Sequence, residues 1–290
     1  MLINIFSKME DPHKRSKDEA ITISLIHDSI NKNTPSGIKI KKEFEKTFPL
    51  EPVFISTVES GADRSTHHDL QIKINEQIYK TVEVKSSKHF KTIDITKPPW
   101  HNGVQFYNGT GSKFSIGQKY ARCFYMTMMD DIIKDLDIKT IKPSFEEWVK
   151  DAFRQGLPST IFCKELREKG YKSKYLSDCR KKFNKIFEET LVNGSDLGIL
   201  MKEVQKIADD TLSCKDYWLQ IHGNIDDPEK FHVKWTGKIK MPQIHEVEQI
   251  KTKNCCDINF KFICEDDSEF SAKLRWGYGQ CITNIRVDIK

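Results

Sequence analysis

The chain has 290 residues, 38% of them hydrophobic and 31% charged, a balance that supplies a sizeable core and argues against a disordered or membrane-embedded protein. No apolar run approaches the roughly 20 residues a membrane span needs, and MLINIFSKMEDPHKR puts its apolar patch ahead of its basic residues, the reverse of a secretory signal. Lys and Arg exceed Asp and Glu by 47 to 42, a net charge of +5 that suits a polyanionic partner without requiring one.

Along the chain, Ser16 to Lys32 carries Ala20, Ile23, Leu25, Ile26 and Ile30 near helical spacing after a Ser cap and an acidic first turn, which predicts a helix. Pro35 and Gly37 in NTPSGIKIKK break that pattern, leaving KKEFEKTFP as a short segment ahead of a strand from Pro52 to Val58. After the polar loop ESGADRSTHH come two alternating runs, DLQIKI and YKTVEVKSS, joined by a turn around Asn75, Glu76 and Gln77. Beyond Lys97-Pro98-Pro99-Trp100 a glycine-rich loop leads to a helix from Ile116 to Leu136, expected to pack on the sheet of those strands. Helical periodicity returns from Phe145 to Leu212, with a basic cluster at Lys172, Lys174, Arg180, Lys181, Lys182 and Lys185. From Asp216 onward the runs YWLQIHG, KFHVKWTG, DINFKFIC, FSAKLRWG and ITNIRVDIK predict a strand-rich end. Eight cysteines form no CxxC pair, as expected of reduced thiols in an intracellular protein, cytoplasmic or nuclear.

The stretch HHDLQIKINEQIYKTVEVKSS carries the chemistry. In a strand, residues two apart share a face, so Glu83 and Lys85 project together while Val84 faces the core. If DLQIKI pairs with YKTVEVK, backbones about 4.8 Å apart let Asp69 approach Glu83. Two such carboxylates repel unless a cation lies between them, and Mg²⁺ favours this kind of oxygen donor set, with the Val84 carbonyl as a further ligand. Lys85 beside the attacking water would orient it or neutralise charge building on phosphorus oxygens. The competing interpretation is an amphipathic hairpin with three surface charges, since E-x-K is frequent in Lys-rich chains.

The sequence ESGADRSTHHDLQIKI followed by TVEVKSS resembles the PD-(D/E)XK, or restriction-endonuclease-like, nuclease superfamily. Asp69 matches the lone Asp, Glu83 the second acid and Lys85 the lysine, with 13 residues between the acids. His68 stands where the family name has Pro. The resemblance covers roughly residues 15 to 136. It implies an α/β (α+β) fold, with a mixed central sheet flanked by helices, and a Mg²⁺-dependent endonuclease, Mn²⁺ being an alternative ion. It also implies an acid from the N-terminal helix region, for which Glu19, Glu43 and Glu45 are candidates, and a Gln near the start of the following helix, where Gln118 sits. His68 is an auxiliary candidate as a general acid or base. An HD-type phosphohydrolase is disfavoured because His68-Asp69 runs into a strand rather than along a helix.

The expected division is a nuclease core over 1–140, a helical segment over 141–212 and a β-rich part over 213–290. Double-stranded DNA is the expected partner, with Ser87, Lys88, Lys181, Lys182 and Arg275 as candidate contacts. KELREKGYKSKYLSDCRKKF has the charge and the Gly170 break of a helix-turn-helix. Trp276 beside Arg275 on WGYGQ either stacks on bases or is buried, burial being the default. A restriction-type enzyme, which for a palindromic site implies a homodimer, is the first expectation. A repair or recombination nuclease and a non-catalytic nucleic-acid-binding protein are the alternatives.

Overall fold

The computed structural model describes residues 17–51, 54, 56–59, 69–75, 78–86, 94–97, 99, 107–154, 157–170, 174–191, 195–251, 257–277 and 284–289. Those residues form a mixed α+β protein with seven α-helices and two five-stranded sheets. They fall into two compact units, one of residues 1–104 and 210–240, the other of 105–209 and 241–290. Among the described residues no helix is long and apolar enough to cross a membrane.

The first unit contains α1 (Lys17–Asn31), α2 (Pro35–Thr47), β1 (Ser56–Glu59), β2 (Leu70–Asn75), β3 (Ile78–Ser86), β5 (Tyr217–His222) and β6 (His232–Thr236). Its sheet runs in the order β1-β2-β3-β5-β6. Strands β1, β2 and β3 form an antiparallel meander, β3 and β5 are parallel, and β6 returns antiparallel to β5. Alternation sends Leu70, Ile72, Val82, Val84, Leu219 and Ile221 to one face, where they meet Ile23, Ile26 and Ile30 of α1 and Ile40 and Phe44 of α2 in a common core. Phe44 centres an aromatic group with Phe48, Phe54, Tyr217 and Trp235, and the Trp235 indole N–H donates to the Ile40 carbonyl at 3.0 Å.

Pro35 does not merely end the first helix. It occupies the first turn of α2, where its missing N–H costs nothing, and the Thr34 side chain accepts from the Gly37 N–H to cap that helix. The segment expected to be broken is therefore helical from Pro35 onward. At Gly37 the two helices touch: a Cβ there would lie 1.8 Å from the Ser29 carbonyl oxygen. The edge strand β1 is covered by the last residue of α1, since Asn31 accepts from the Thr57 N–H at 2.9 Å and donates to the Thr57 carbonyl at 3.0 Å.

The second unit contains β4 (Tyr107–Thr110), a one-turn 3₁₀ helix (Gly111–Lys113), α3 (Ser115–Asp135), α4 (Phe145–Ala152), α5 (Ile161–Gly170), α6 (Lys174–Leu191), most of α7 (Asp196–Ser213), β7 (Ile244–Ile250), β8 (Ile258–Cys264), β9 (Glu269–Trp276) and β10 (Ile285–Ile289). Its antiparallel sheet has the order β4-β10-β9-β8-β7. Tyr120 and Phe124 of α3, Phe183 of α6 and Trp276 of β9 pack together, and the Trp276 indole N–H donates to the Tyr120 hydroxyl at 2.9 Å. Trp276 is buried, the default outcome for that side chain.

Two expectations change here. Helix α3 belongs to the second unit and packs on β10, rather than helping to build the sheet that carries Glu83 and Lys85. The β-rich end is not one body either: β5 and β6 complete the first sheet, whereas β7 to β10 build the second. The physical reason is the parallel pairing of β3 with β5, which forbids a tight turn and requires a long connection. Here that connection carries much of a second unit.

Candidate active site

On β3 the odd positions Thr81, Glu83 and Lys85 lie on the face opposite the α1–α2 core, because Val82 and Val84 are in that core. Asp69 stands directly ahead of β2, whose first residue, Leu70, pairs with Val82. The Asp69 N–H donates to the Val82 carbonyl at 2.9 Å. Its carboxylate accepts from the Val84 N–H at 2.8 Å, and the residue is only 8% exposed. The lone Asp is thereby tied to the main chain of the Glu83-Val84-Lys85 triplet at Val84.

No protein-family model, curated protein or solved structure matches the chain.

Glu83 is paired on both of its oxygens. The Lys85 ammonium donates to Oε1 at 2.7 Å, and the Lys215 ammonium donates to Oε2. Glu83 and Lys85 have side chains 15% and 17% exposed, and Lys215 6%. Burial by itself would raise the Glu83 carboxyl, but the two ammonium groups outweigh it and hold the carboxyl below the usual range. Glu83 is therefore an anion in the fold. Enclosing three charges is costly, and apolar residues of similar size are often as stable. Such a cluster is a candidate functional site, although structural ion-pair networks perturb charged groups in the same way.

Lys215 escaped the sequence reading. It precedes β5 by two residues and meets Glu83 only because β5 lies parallel to β3, with Glu83 opposite Trp218 and Lys85 opposite Gln220. Its ammonium also lies 5.8 Å from the Trp218 ring centre. Gln220 is fully buried; its amide donates to the Lys97 carbonyl at 3.3 Å, while its Oε1 has no hydrogen-bond partner among the described residues. A buried acceptor beside Lys85 and a buried cation on Glu83 extend the polar face from β3 onto β5. A Lys and a Gln flanking a strand carry no signal that would single them out in the sequence.

The remaining candidates fall elsewhere. Glu19 lies in α1, its side chain outside the described residues, as are His67, His68, Ser87, Lys88 and the loop from Trp100 to Gly103. Glu43 pairs with Lys46 on α2, and Glu45 is exposed. Gln118 is exposed near the start of α3, in the second unit, where its amide donates to the Ser112 carbonyl at 2.8 Å. Lys181 and Lys182 lie on the exposed side of α6, with Lys181 near Asp178, and α5 and α6 bracket residues 171–173, which are outside the described set. Arg275 donates to the buried Asp288 carboxylate at 2.6 Å.

Among the described residues no group of three or more His, Cys, Asp or Glu side chains gathers. By donor chemistry the Asp69 and Glu83 carboxylates and the Val84 carbonyl are of the kind Mg²⁺ takes, an ion commonly held by one or two carboxylates with water and phosphate oxygens completing its shell. The donor atoms are all oxygens, as that ion demands.

Proposed function

We propose that the chain is a metal-dependent endodeoxyribonuclease with a restriction-endonuclease-like core in its first unit. The observation that carries this reading is the bond from the Val84 N–H to the Asp69 carboxylate, which ties the lone acid to the main chain between Glu83 and Lys85. The five-stranded mixed sheet with α1 and α2 on one face supports it, since Glu83 and Lys85 then lie on the other.

Asp69, Glu83 and the Val84 carbonyl would hold Mg²⁺ or Mn²⁺, which when bound supplies a charge that neutralises phosphate oxygens and acidifies water. Lys85 orients the attacking water and donates to a non-bridging phosphate oxygen. The water oxygen forms a bond to phosphorus as the ester P–O bond breaks. One proton leaves the water for solvent, and the departing alkoxide takes one up. Glu83, kept anionic by its two lysines, needs to lose no proton at neutral pH to act as a ligand.

Duplex DNA is the proposed substrate, with Lys181, Lys182 and Arg275 of the second unit as candidate phosphate contacts; a homodimer would follow from double-strand cutting at a palindrome. The occupation of both Glu83 oxygens by lysines favours a second reading, a nucleic-acid-binding protein in which the trio is structural. Incubation with supercoiled plasmid and with RNA across Mg²⁺, Mn²⁺ and Ca²⁺ separates them. Nicked or linear plasmid with Mg²⁺ or Mn²⁺ is expected, and intact DNA and RNA in every ion would sink the enzyme reading.

A further inference from the structure

We propose that Lys215 is a positioning residue that couples cation loading to DNA binding: it holds Oε2 of Glu83 until a DNA phosphate draws it away and leaves that oxygen to a divalent cation. This role rests on the nuclease reading above and concerns how the same site is switched on. Lys215 is placed for it by the neighbouring residue. The Asp216 carboxylate accepts from both the Thr81 N–H and the Thr81 hydroxyl at 3.0 Å, and the Asp216 N–H donates to the Thr81 hydroxyl oxygen at 3.0 Å. The main chain beside Lys215 is thus tied to β3 two residues ahead of Glu83.

The charges explain the coupling. Asp69, Glu83, Lys85 and Lys215 together are neutral, so a divalent cation entering alone meets two ammonium groups on the carboxylate it needs, at direct contact in a largely enclosed site. A phosphodiester brings the negative charge that relieves this repulsion and offers Lys215 a new acceptor. Cation and DNA should therefore each tighten the binding of the other, as linkage requires.

The test is calorimetric titration of Ca²⁺ into the full chain, with and without a short DNA duplex, for wild type, Lys215→Met and Lys215→Arg. For Lys215→Met, Ca²⁺ affinity without DNA should rise roughly tenfold, a scale comparable to other partners of metal ligands, and the gain from adding DNA should shrink by the same factor. Lys215→Arg should retain most of the coupling. Should Lys215→Met fail to fold, Lys215→Gln and the side-chain ammonium resonances of lysine in the wild type serve instead, with a shift of Lys215 on adding Ca²⁺ and DNA together expected. Wild type that cleaves DNA while Lys215→Met keeps unchanged Ca²⁺ affinity in both conditions, or unshifted Lys215 resonances, overturns this role and leaves the nuclease reading standing. Wild type that neither binds Ca²⁺ nor cleaves overturns the nuclease reading itself.

Discussion

Burial would raise the Glu83 carboxyl, yet Lys85 and Lys215 hold it below the usual range. Its folded value is therefore lower than its unfolded one. The stability it contributes is fully present above the ordinary Glu range and is lost as pH falls through the lowered value. Replacing it with Gln strips two enclosed ammonium groups of their anion, at a cost of about 3 kcal/mol, the low end for removing one partner of a buried ion pair. Urea melts from neutral pH downward should show Glu83→Gln less stable than wild type at neutral pH and the two converging as acid neutralises the wild-type carboxyl. Equal stability at neutral pH would mean the lysines do not depend on Glu83. Of this cluster, Glu83 and Lys85 were legible because strand alternation alone puts them on one face. For Asp69 the alternation left the approach to Glu83 to the hairpin register, and what the fold gives is its bond to the Val84 main chain. Lys215 was not legible, because its partner lies 132 residues away and parallel pairing leaves no local pattern.

Helix ends in this fold are held by side chains whose loss can be priced. Asp151, at the end of α4, accepts from the N–H and hydroxyl groups of both Ser159 and Thr160, and so anchors the chain entering α5. Burial opposes its ionisation, but those hydrogen bonds lower the carboxyl from 3.8 to about 2. It contributes about 2 kcal/mol of stability above its ordinary titration range, lost as pH falls toward the lowered value. Asp151→Ala should lose that amount in neutral-pH denaturant melts, and a neutral effect would show that water replaces the carboxylate. In the first unit, Gly37→Ala should improve helix propensity yet destabilise by about 1–3 kcal/mol, since the added Cβ has to push the Ser29 carbonyl away. A raised melting temperature would contradict this packing. Pro35 looked like a helix breaker in the sequence because a proline that ends one helix and one that begins the next read alike until the Thr34 cap is seen. Strand β7 went unpredicted for a related reason: IHEVEQI is exposed at several positions and lacks a strong apolar alternation.

At the scale of the molecule, each unit is assembled from two separated stretches of chain. The composition shifts near residues 140 and 212 looked like boundaries, because helical and β-like texture follow one another in the sequence. Texture says nothing about which sheet a strand joins, and β5 joins β3 rather than its neighbours β7 to β10. A fragment of residues 1–140 lacks β5 and β6 and should not fold, whereas a chain joining 1–104 to 210–240 through a short linker should give a cooperative melt; the reverse outcome would contradict the observed units. The central claim is that Asp69, Glu83 and Lys85 act as one hydrolytic set, and single-turnover cleavage of plasmid DNA in Mg²⁺ tests it most directly. Asp69→Asn, Glu83→Gln and Lys85→Met, each checked for retained fold by circular dichroism, should lose at least roughly hundredfold in rate relative to wild type. Folded variants that cut at the wild-type rate would contradict it.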